Sequence, residues 1–488
     1  MTTHTPLLLS WSCVESLGDL ERLRRVLDAL PDAALIAALE KRRGRGRNDY
    51  PVRAMWRALV AGMVFQHPSI EALLRELNRN PALLDACGFH PVPTRARRSL
   101  VQDPQTGVIH VMRPPERSSI PSSWNVSRFV ACLLEVEEEE GLLSQMIVDL
   151  RHRLMDLLPD FGAHLGCDGT AMASKSTGTV NTATGQTSDK DADWGKHETK
   201  GVTAEGKVWT KVTTWFGYTL HLIADTTWEI PVAAALTKAS ASEVKTIETL
   251  LEDVFADSPD LATRCTDLSA DRGYDSGPLK ETLWETWRIR PIIDVRQMWR
   301  DEKAEPGHDR TQRITRPLHA DRADTIVYTE RGEVRCVCPE TGTERDLAFH
   351  GFETTRGTLK YRCPAATYGF DCKGRKDCEA AGDCHSQGYG RIVRVPLDTD
   401  RRIFTPTPRS SLTWQHRYRG RTALERINAR LDQTFGLEHH HIRGVSRMTA
   451  RITLALAVMM ALAQASIGER QPHLMRSLVR AAAPPDPG

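Results

Sequence analysis

The sequence predicts an α/β fold: a mixed sheet flanked by helices, preceded by an all-helical N-terminal domain and interrupted by a Cys-rich insertion. Three observations lead there. Apolar residues recur at spacings of three and four through most of the first 160 residues. Beyond them the period shortens, and short strand-like runs alternate with helical stretches. Between residues 297 and 400 the pattern lapses into polar sequence that holds six of the eleven cysteines.

A chain of 488 residues is long enough for two or three domains, each with its own core. Hydrophobic residues make up 40% and charged residues 26%, which suits a globular protein and argues against a disordered or membrane-embedded one. The N-terminal "MTTHTPLLLSWSC" lacks the basic region and the long apolar run of a secretory signal. The late run "ITLALAVMMALA" (452–463) is too short to span a bilayer and reads as a buried helix, so a cytoplasmic protein is expected. In that compartment the cysteines are not expected to form disulfides.

The net charge of +2 does not announce a nucleic-acid binder, but its distribution is uneven. Residues 41–57 carry seven basic side chains, Arg42 and Arg43 among them, against one acid, and residues 401–451 carry eleven Arg against three acids. Each patch fits a phosphate-binding surface or an ordinary solvated face.

In order, helices are expected over 18–40 and 54–88, with Pro68-Ser69 opening a second helix inside the latter. Residues 90–123 read as a linker rich in Pro, Arg and Ser, and "WNVSRFVACLLEVEEEEGLLSQMIVDLRHRLMDLLP" as helix, its Glu run a solvated face. "HLGCDGTAMAS" (164–174) is a first strand and 175–207 a loop without periodicity. "KVTTWFGYTLHLIAD" and "IPVAAALTKA" form a hairpin about Thr226–Glu229. Ser242 opens a helix whose Val244, Ile247, Leu251 and Val254 share a face. A weakly apolar strand ends at "ADRGYDS", followed by a helix with Ser276 or Asp275 at its cap and the strand "PIIDVR". Helices resume at 417–435 and 446–467. The expected domains are 1–160, 161–296 with 401–470, the insertion 297–400, and a tail from 471 to 488.

In a helix over 417–435, Tyr418, Arg421, Glu425 and Asp432 fall within roughly 60° of one another. Leu424, Ile427, Leu431 and Phe435 form a separate apolar stripe about 100° around. One stripe docks on a core while the other presents a Tyr, an Arg and two acids. Asp168 lies in the first strand, Asp271 just after the fourth, and Glu425 on this helix. A sheet in which those strands are neighbours brings the three carboxylates to one place. Clustered acids repel, so the arrangement calls for cations. Hard oxygen donors in small number suit two Mg²⁺ or Mn²⁺ ions that activate a water or a 3′-OH beside a nucleic-acid backbone.

These segments resemble the DDE-type transposases of bacterial insertion sequences. "CDGTAMAS" and "ADRGYDS" resemble the two Asp segments, and "YRGRTALERINARLD" the signature Tyr-x2-Arg-x3-Glu-x6-Lys, with Asp432 standing at the Lys position. "YPVRAMWRALVAGMVFQHPSIEALLREL" resembles their helical N-terminal domain and "IPSSWNVSRF" the linker after it. The resemblance implies a ribonuclease-H-like catalytic core in which Asp168, Asp271 and Glu425 hold two Mg²⁺ (or Mn²⁺). It implies strand cleavage at the ends of a mobile DNA element and attack of the freed 3′-OH on target DNA. Tyr418 and Arg421 would position the ends, Arg430 would replace the missing Lys, and Arg272 and Tyr274 face DNA or pack. Acting on two ends implies at least a dimer. The alternative is a catalytically inactive, transposase-derived DNA-binding protein.

Cys363, Cys372, Cys378 and Cys384 offer four thiolates for a structural Zn²⁺, although no CxxC pair is present; a reduced loop that binds nothing is the competing reading. "HHH" (439–441) matches no nickase motif and reads as a loop of surface imidazoles.

Overall fold

The computed structural model describes residues 19–45, 48–90, 99–102, 109–112, 119–182, 184–203, 207–299, 314–319, 325–338, 341–369, 371–373, 375–376 and 390–476. Contacts divide the chain into two units, residues 1–158 with 428–488, and residues 159–427.

The first unit contains α1 (Asp19–Ala29), α2 (Ala33–Arg43), α3 (Val52–Val64), α4 (Ile70–Arg79), α5 (Pro81–Cys87), α6 (Ser123–Glu140) and α7 (Leu142–Leu157). The single helix expected over 18–40 divides at Leu30–Asp32. Pro31 lacks the N–H that a continuous helix would use there, and Asp32 accepts a 2.7 Å bond from the Trp56 indole of α3. Ser69 does open α4, accepting from the Ala72 N–H. The expected linker at 90–123 contributes a short antiparallel hairpin, β1 (Ser99–Gln102) with β2 (Ile109–Met112), so this part is not all-helical.

Gly141, in the left-handed region at φ 64°, separates α6 from α7. It offers no capping side chain, and the Glu137 carboxylate takes over, accepting from the Leu143 N–H at 2.6 Å and the Ser144 N–H at 3.1 Å. Glu135 and Glu139 pair with Arg42. The Glu run is therefore partly structural, not simply a solvated face.

The late apolar run belongs to a 24-residue helix, Val445–Gly468, long enough by length and composition to cross a membrane; 72% of its most apolar window is buried inside the protein, as in a core helix. It packs on α1, α3 and α7, and Gln464 donates to the Leu150 carbonyl of α7 at 2.8 Å. Its apolar surface explains why the chain rejoins the first unit at Asn428, within the span 401–470 expected to complete the sheet domain.

The second unit is built on a six-stranded sheet: β3 (His164–Ala173), β4 (Asp193–Val202), β5 (Val208–Asp225), β6 (Ile230–Lys238), β7 (Asp267–Ala270) and β8 (Arg290–Ile293). β3 runs antiparallel to β5 and parallel to β7, β7 runs parallel to β8, and β5 carries both β4 and β6 antiparallel. β4 falls where a loop was expected. Most of its described side chains are exposed, so it has no apolar alternation to betray it. The weakly apolar strand before Asp271 exists as β7, buried along its whole length in the middle of the sheet.

α8 (Glu243–Asp257) and the short α9 (Pro259–Arg264) connect β6 to β7, and α10 (Gly277–Glu285) connects β7 to β8. Ser242 occupies the N-cap position of α8 without a side-chain cap bond, whereas Ser276 caps α10. Residues 314–404 carry seven short strands: β9 (Thr315–Pro317), β10 (Ile326–Thr329), β11 (Val334–Val337), β12 (Glu344–Asp346), β13 (Ala348–Glu353), β14 (Thr358–Arg362) and β15 (Ile392–Pro396). They form two small sheets that share a core including Tyr328, Leu359, Tyr361 and Val395.

Candidate active site

β3 and β7 pair in parallel with Gly166 opposite Ser269. Continuing that register by two residues sets Asp168 beside Asp271, one residue past the end of β7. Burial pushes the Asp168 carboxyl up to about 6, and the charge of Asp271 adds to the shift. Asp271 accepts from the Gly273 N–H at 2.7 Å. A Cβ at Gly273 would stand 2.7 Å from that carboxylate oxygen, so glycine is what lets the backbone fold this tightly around Asp271.

The rest of "ADRGYDS" fixes this turn. The Asp275 side chain is wholly buried and pairs with Lys280 Nζ and, at 2.8 Å, with Arg402 Nε. It also accepts the Arg296 N–H at 2.8 Å, while the Arg296 guanidinium donates to the carbonyls of Arg272 and Gly273. Asp275 is thus an anchor and not a helix cap. Burial, helped by Arg409, draws Lys280 down to about 7 against the pull of Asp275. Tyr274 is 1% exposed and takes the packing alternative, whereas Arg272 is exposed.

The single helix expected over 417–435 is broken. α11 (Leu412–Arg419) ends at Gly420, and α12 (Thr422–Ala429) follows after a tight turn in which Arg421, Ala423 and Leu424 donate to carbonyls three residues back. A wider π turn occupies Arg430–Thr434. The apolar stripe still docks, with Leu424, Ile427, Leu431 and Phe435 all buried. Leu424 reaches to within 3.0 Å of a Cβ built at Gly166, two residues before Asp168 and on the same side of β3.

Tyr418 stacks on Trp414 at 4.6 Å between ring centroids, and the Arg421 guanidinium lies 5.9 Å from the Tyr418 ring centre. Arg421 donates to Glu425 at 2.7 Å and feels the charges of Asp168 and Asp271 as well. Glu425 itself is 58% exposed. Asp168 and Asp271 are therefore adjacent, with Arg421 between them and Glu425.

Among the described residues no group of three His, Cys, Asp or Glu side chains stands in ligating geometry. The donor set nevertheless fits a hard divalent cation: two adjacent carboxylates, one of them buried at a cost that a cation would remove, with a third one arginine away. Sequence reasoning missed one neighbour. Glu243, the first residue of α8, acts on Asp168 and is itself pushed up by burial and by Asp271. In the sequence it looks like an ordinary acid in a helix's first turn.

The remaining expected residues lie elsewhere in the chain. Arg42 pairs with Glu135 at 2.9 Å and Glu139 at 2.6 Å, and Arg43 donates to Asn48. Both line a cleft of about 740 Å³ with Tyr50, Asn125 and Arg128. Arg430 lies in the π turn, and burial next to Glu438 raises Asp432 to about 6. His440 is buried, with Nδ1 accepting from the Ile442 N–H, so the histidine run is not simply a set of surface imidazoles. Cys378 and Cys384 fall outside the described residues, while Cys363 and Cys372 both lie close enough to Cys336 to act on it electrostatically. None of the eight described cysteines is in a disulfide.

Comparison with known proteins adds to this geometry. A family model described as a transposase DDE domain matches residues 168–461, and a second described as a transposase domain matches residues 13–101. No curated protein matches. A solved piggyBac transposase synaptic complex with hairpin DNA aligns over 98% of this chain and 80% of that one, at 10% identity and a TM-score of 0.32, too low to argue from. The inactive alternative gains no support from these matches.

Proposed function

The chain belongs to the DDE transposases, DNA-binding enzymes that cut and rejoin DNA strands with divalent metal ions, and from that premise we propose that Asp168, Asp271 and Glu425 are its metal-binding triad. The adjacency of Asp168, midway along β3, and Asp271, just past the end of β7, carries this reading. Glu425 would complete the set by parting from Arg421, since a divalent charge held by the two aspartates would attract the carboxylate and repel the guanidinium of that partly exposed pair. The strand arrangement, with β3, β5 and β6 antiparallel in turn, β4 added on β5, and β7 and β8 parallel to β3, supports a ribonuclease-H-like core interrupted by residues 297–400.

Two Mg²⁺ or Mn²⁺ ions bound there would supply activation of an attacking water or 3′-OH and stabilisation of the leaving oxygen. The protein's own residues do the holding. Tyr418 and Arg421, fixed by the stack on Trp414, orient the DNA end. Arg272 next to Asp271, Arg430 of the π turn, and Arg42 and Arg43 of the helical N-terminal part contact phosphates. Two copies of the chain hold the two ends, and the protein works in the bacterial cytoplasm on nucleoid DNA. The test uses DNA carrying the inverted repeats that flank the gene. Nicking and strand transfer are expected in Mg²⁺ and absent in EDTA; cleavage that persists in EDTA rejects the metal site.

Cys363 and Cys372, with Cys378, Cys384 or the nearby Cys336, hold a structural Zn²⁺ in this reading. About one zinc per chain is expected by elemental analysis of the reduced, purified protein. Metal-free protein with intact thiols would end the idea.

A further inference from the structure

We propose that Glu243 is a further carboxylate of the metal site, positioning the hydration shell of the cation on the Asp271 side; this rests on the triad reading above. Glu243 begins α8, far in sequence from both aspartates, yet its carboxylate lies close to the backbone beside each of them. A Cβ at Gly169 would stand 3.3 Å from Glu243 Oε1, and one at Gly273 would stand 3.4 Å from Oε2. Gly169 follows Asp168 and Gly273 closes the turn around Asp271, so the two glycines leave room for this carboxylate beside the pair. Asp271 lies close enough to both Asp168 and Glu243 to act on each.

No described residue gives Glu243 a hydrogen bond or an ion pair. Arg296, the nearest cation acting on it, has its guanidinium engaged by the Arg272 and Gly273 carbonyls. His197 is the other basic group that acts on it. An acid half-buried beside another acid, without a partner, calls for a cation or its bound water.

A second observation points the same way. The Tyr274 hydroxyl is buried and has no hydrogen-bond partner. It lies 3.2 Å from the same Gly169 Cβ position that Glu243 approaches. A buried, unpartnered hydroxyl and an unpaired carboxylate that approach the same point over Gly169, beside two aspartates, fit an outer layer of ligands that becomes ordered when the cation binds.

The test titrates Mn²⁺ into the full-length protein and follows free Mn²⁺ by electron paramagnetic resonance. Glu243→Gln is expected to weaken Mn²⁺ binding about 10- to 100-fold, and to melt in EDTA no lower than the parent, because it removes a charge that Asp271 repels. Asp271→Asn is expected to lose the site. Parent-like Mn²⁺ affinity in Glu243→Gln, with binding lost in Asp271→Asn, overturns the role of Glu243 and leaves the triad standing. Parent-like affinity in both variants overturns the triad and this inference with it. Should Glu243→Gln fold poorly, Glu243→Asp takes its place. Its shorter stem withdraws the carboxylate, so a tenfold weaker affinity in a variant that melts normally supports the role and an unchanged affinity overturns it.

Discussion

Replacing Asp168 with Asn lowers strand cleavage on the order of 10³-fold while making the metal-free protein more stable. Both effects have one cause. Burial and then Asp271 push the Asp168 carboxyl from an ordinary 3.8 to about 6, so at neutral pH the folded state carries a charge that its surroundings oppose. A folded-state value raised by that much corresponds to about 2–3 kcal/mol. The sign follows from which form is favoured. A carboxyl whose value is raised on folding stabilises the fold below its unfolded value, and that contribution is lost as pH rises through the folded value. The advantage of the Asn variant is therefore near zero below about pH 4, grows between 4 and 6, and is level above that. Excess Mg²⁺ narrows the gap, because only the parent gains a bound cation. Thermal melts in EDTA across pH 4–8, beside cleavage assays in Mg²⁺, check it. A variant that is less stable than the parent at pH 7 in EDTA, or that still cleaves at the parent rate, contradicts the placement of this side chain.

Asp275→Ala is expected to cost about 3–5 kcal/mol of stability, for a reason unrelated to substrate. The Asp275 side chain is fully buried and answers Lys280, Arg402 and the Arg296 N–H together. Removing it leaves the buried Lys280 ammonium without an opposite charge, while Arg402 keeps Glu330 at 2.7 Å. Since Lys280 already sits near 7, it sheds part of that cost by losing its proton, and the penalty eases as pH rises. The double variant Asp275→Ala with Lys280→Met regains part of the loss by removing the cation as well. Asp275→Asn, which keeps an acceptor for the Arg296 N–H, falls between. Chemical denaturation at pH 6 and pH 8 measures all of these. A single variant within about 1 kcal/mol of the parent would mean that the network holds the loop less firmly than its burial implies. The same loop carries Asp271, so the Ala variant should also weaken Mn²⁺ binding.

The legible and illegible parts divide by mechanism. Asp168, Asp271 and Glu425 could be selected from the sequence because each stands in a stretch whose other residues have local meaning: a strand edge, a Gly turn, a docking stripe. The buried stripe of Leu424, Ile427, Leu431 and Phe435 follows from spacing alone. β4 was not legible, because a strand exposed on most of its length has no apolar alternation. Nor was the break at Gly420, where a local turn replaces regular helix yet keeps Arg421 bonded to Glu425. Asp275 looked like a cap because Asp before a helix usually is one; its burial depends on Arg402, more than a hundred residues away.

By itself the sequence determined most of the helices and the buried strands, because apolar spacing and turn chemistry are local, and it determined the family through motifs that are short and contiguous. Only the tertiary structure decided which charges meet. The strand pairing that sets Asp168 beside Asp271, the approach of Glu243 to both, and the interposition of Arg421 before Glu425 depend on long-range packing. Electrostatic energies depend on distance and burial, which residue order does not encode directly.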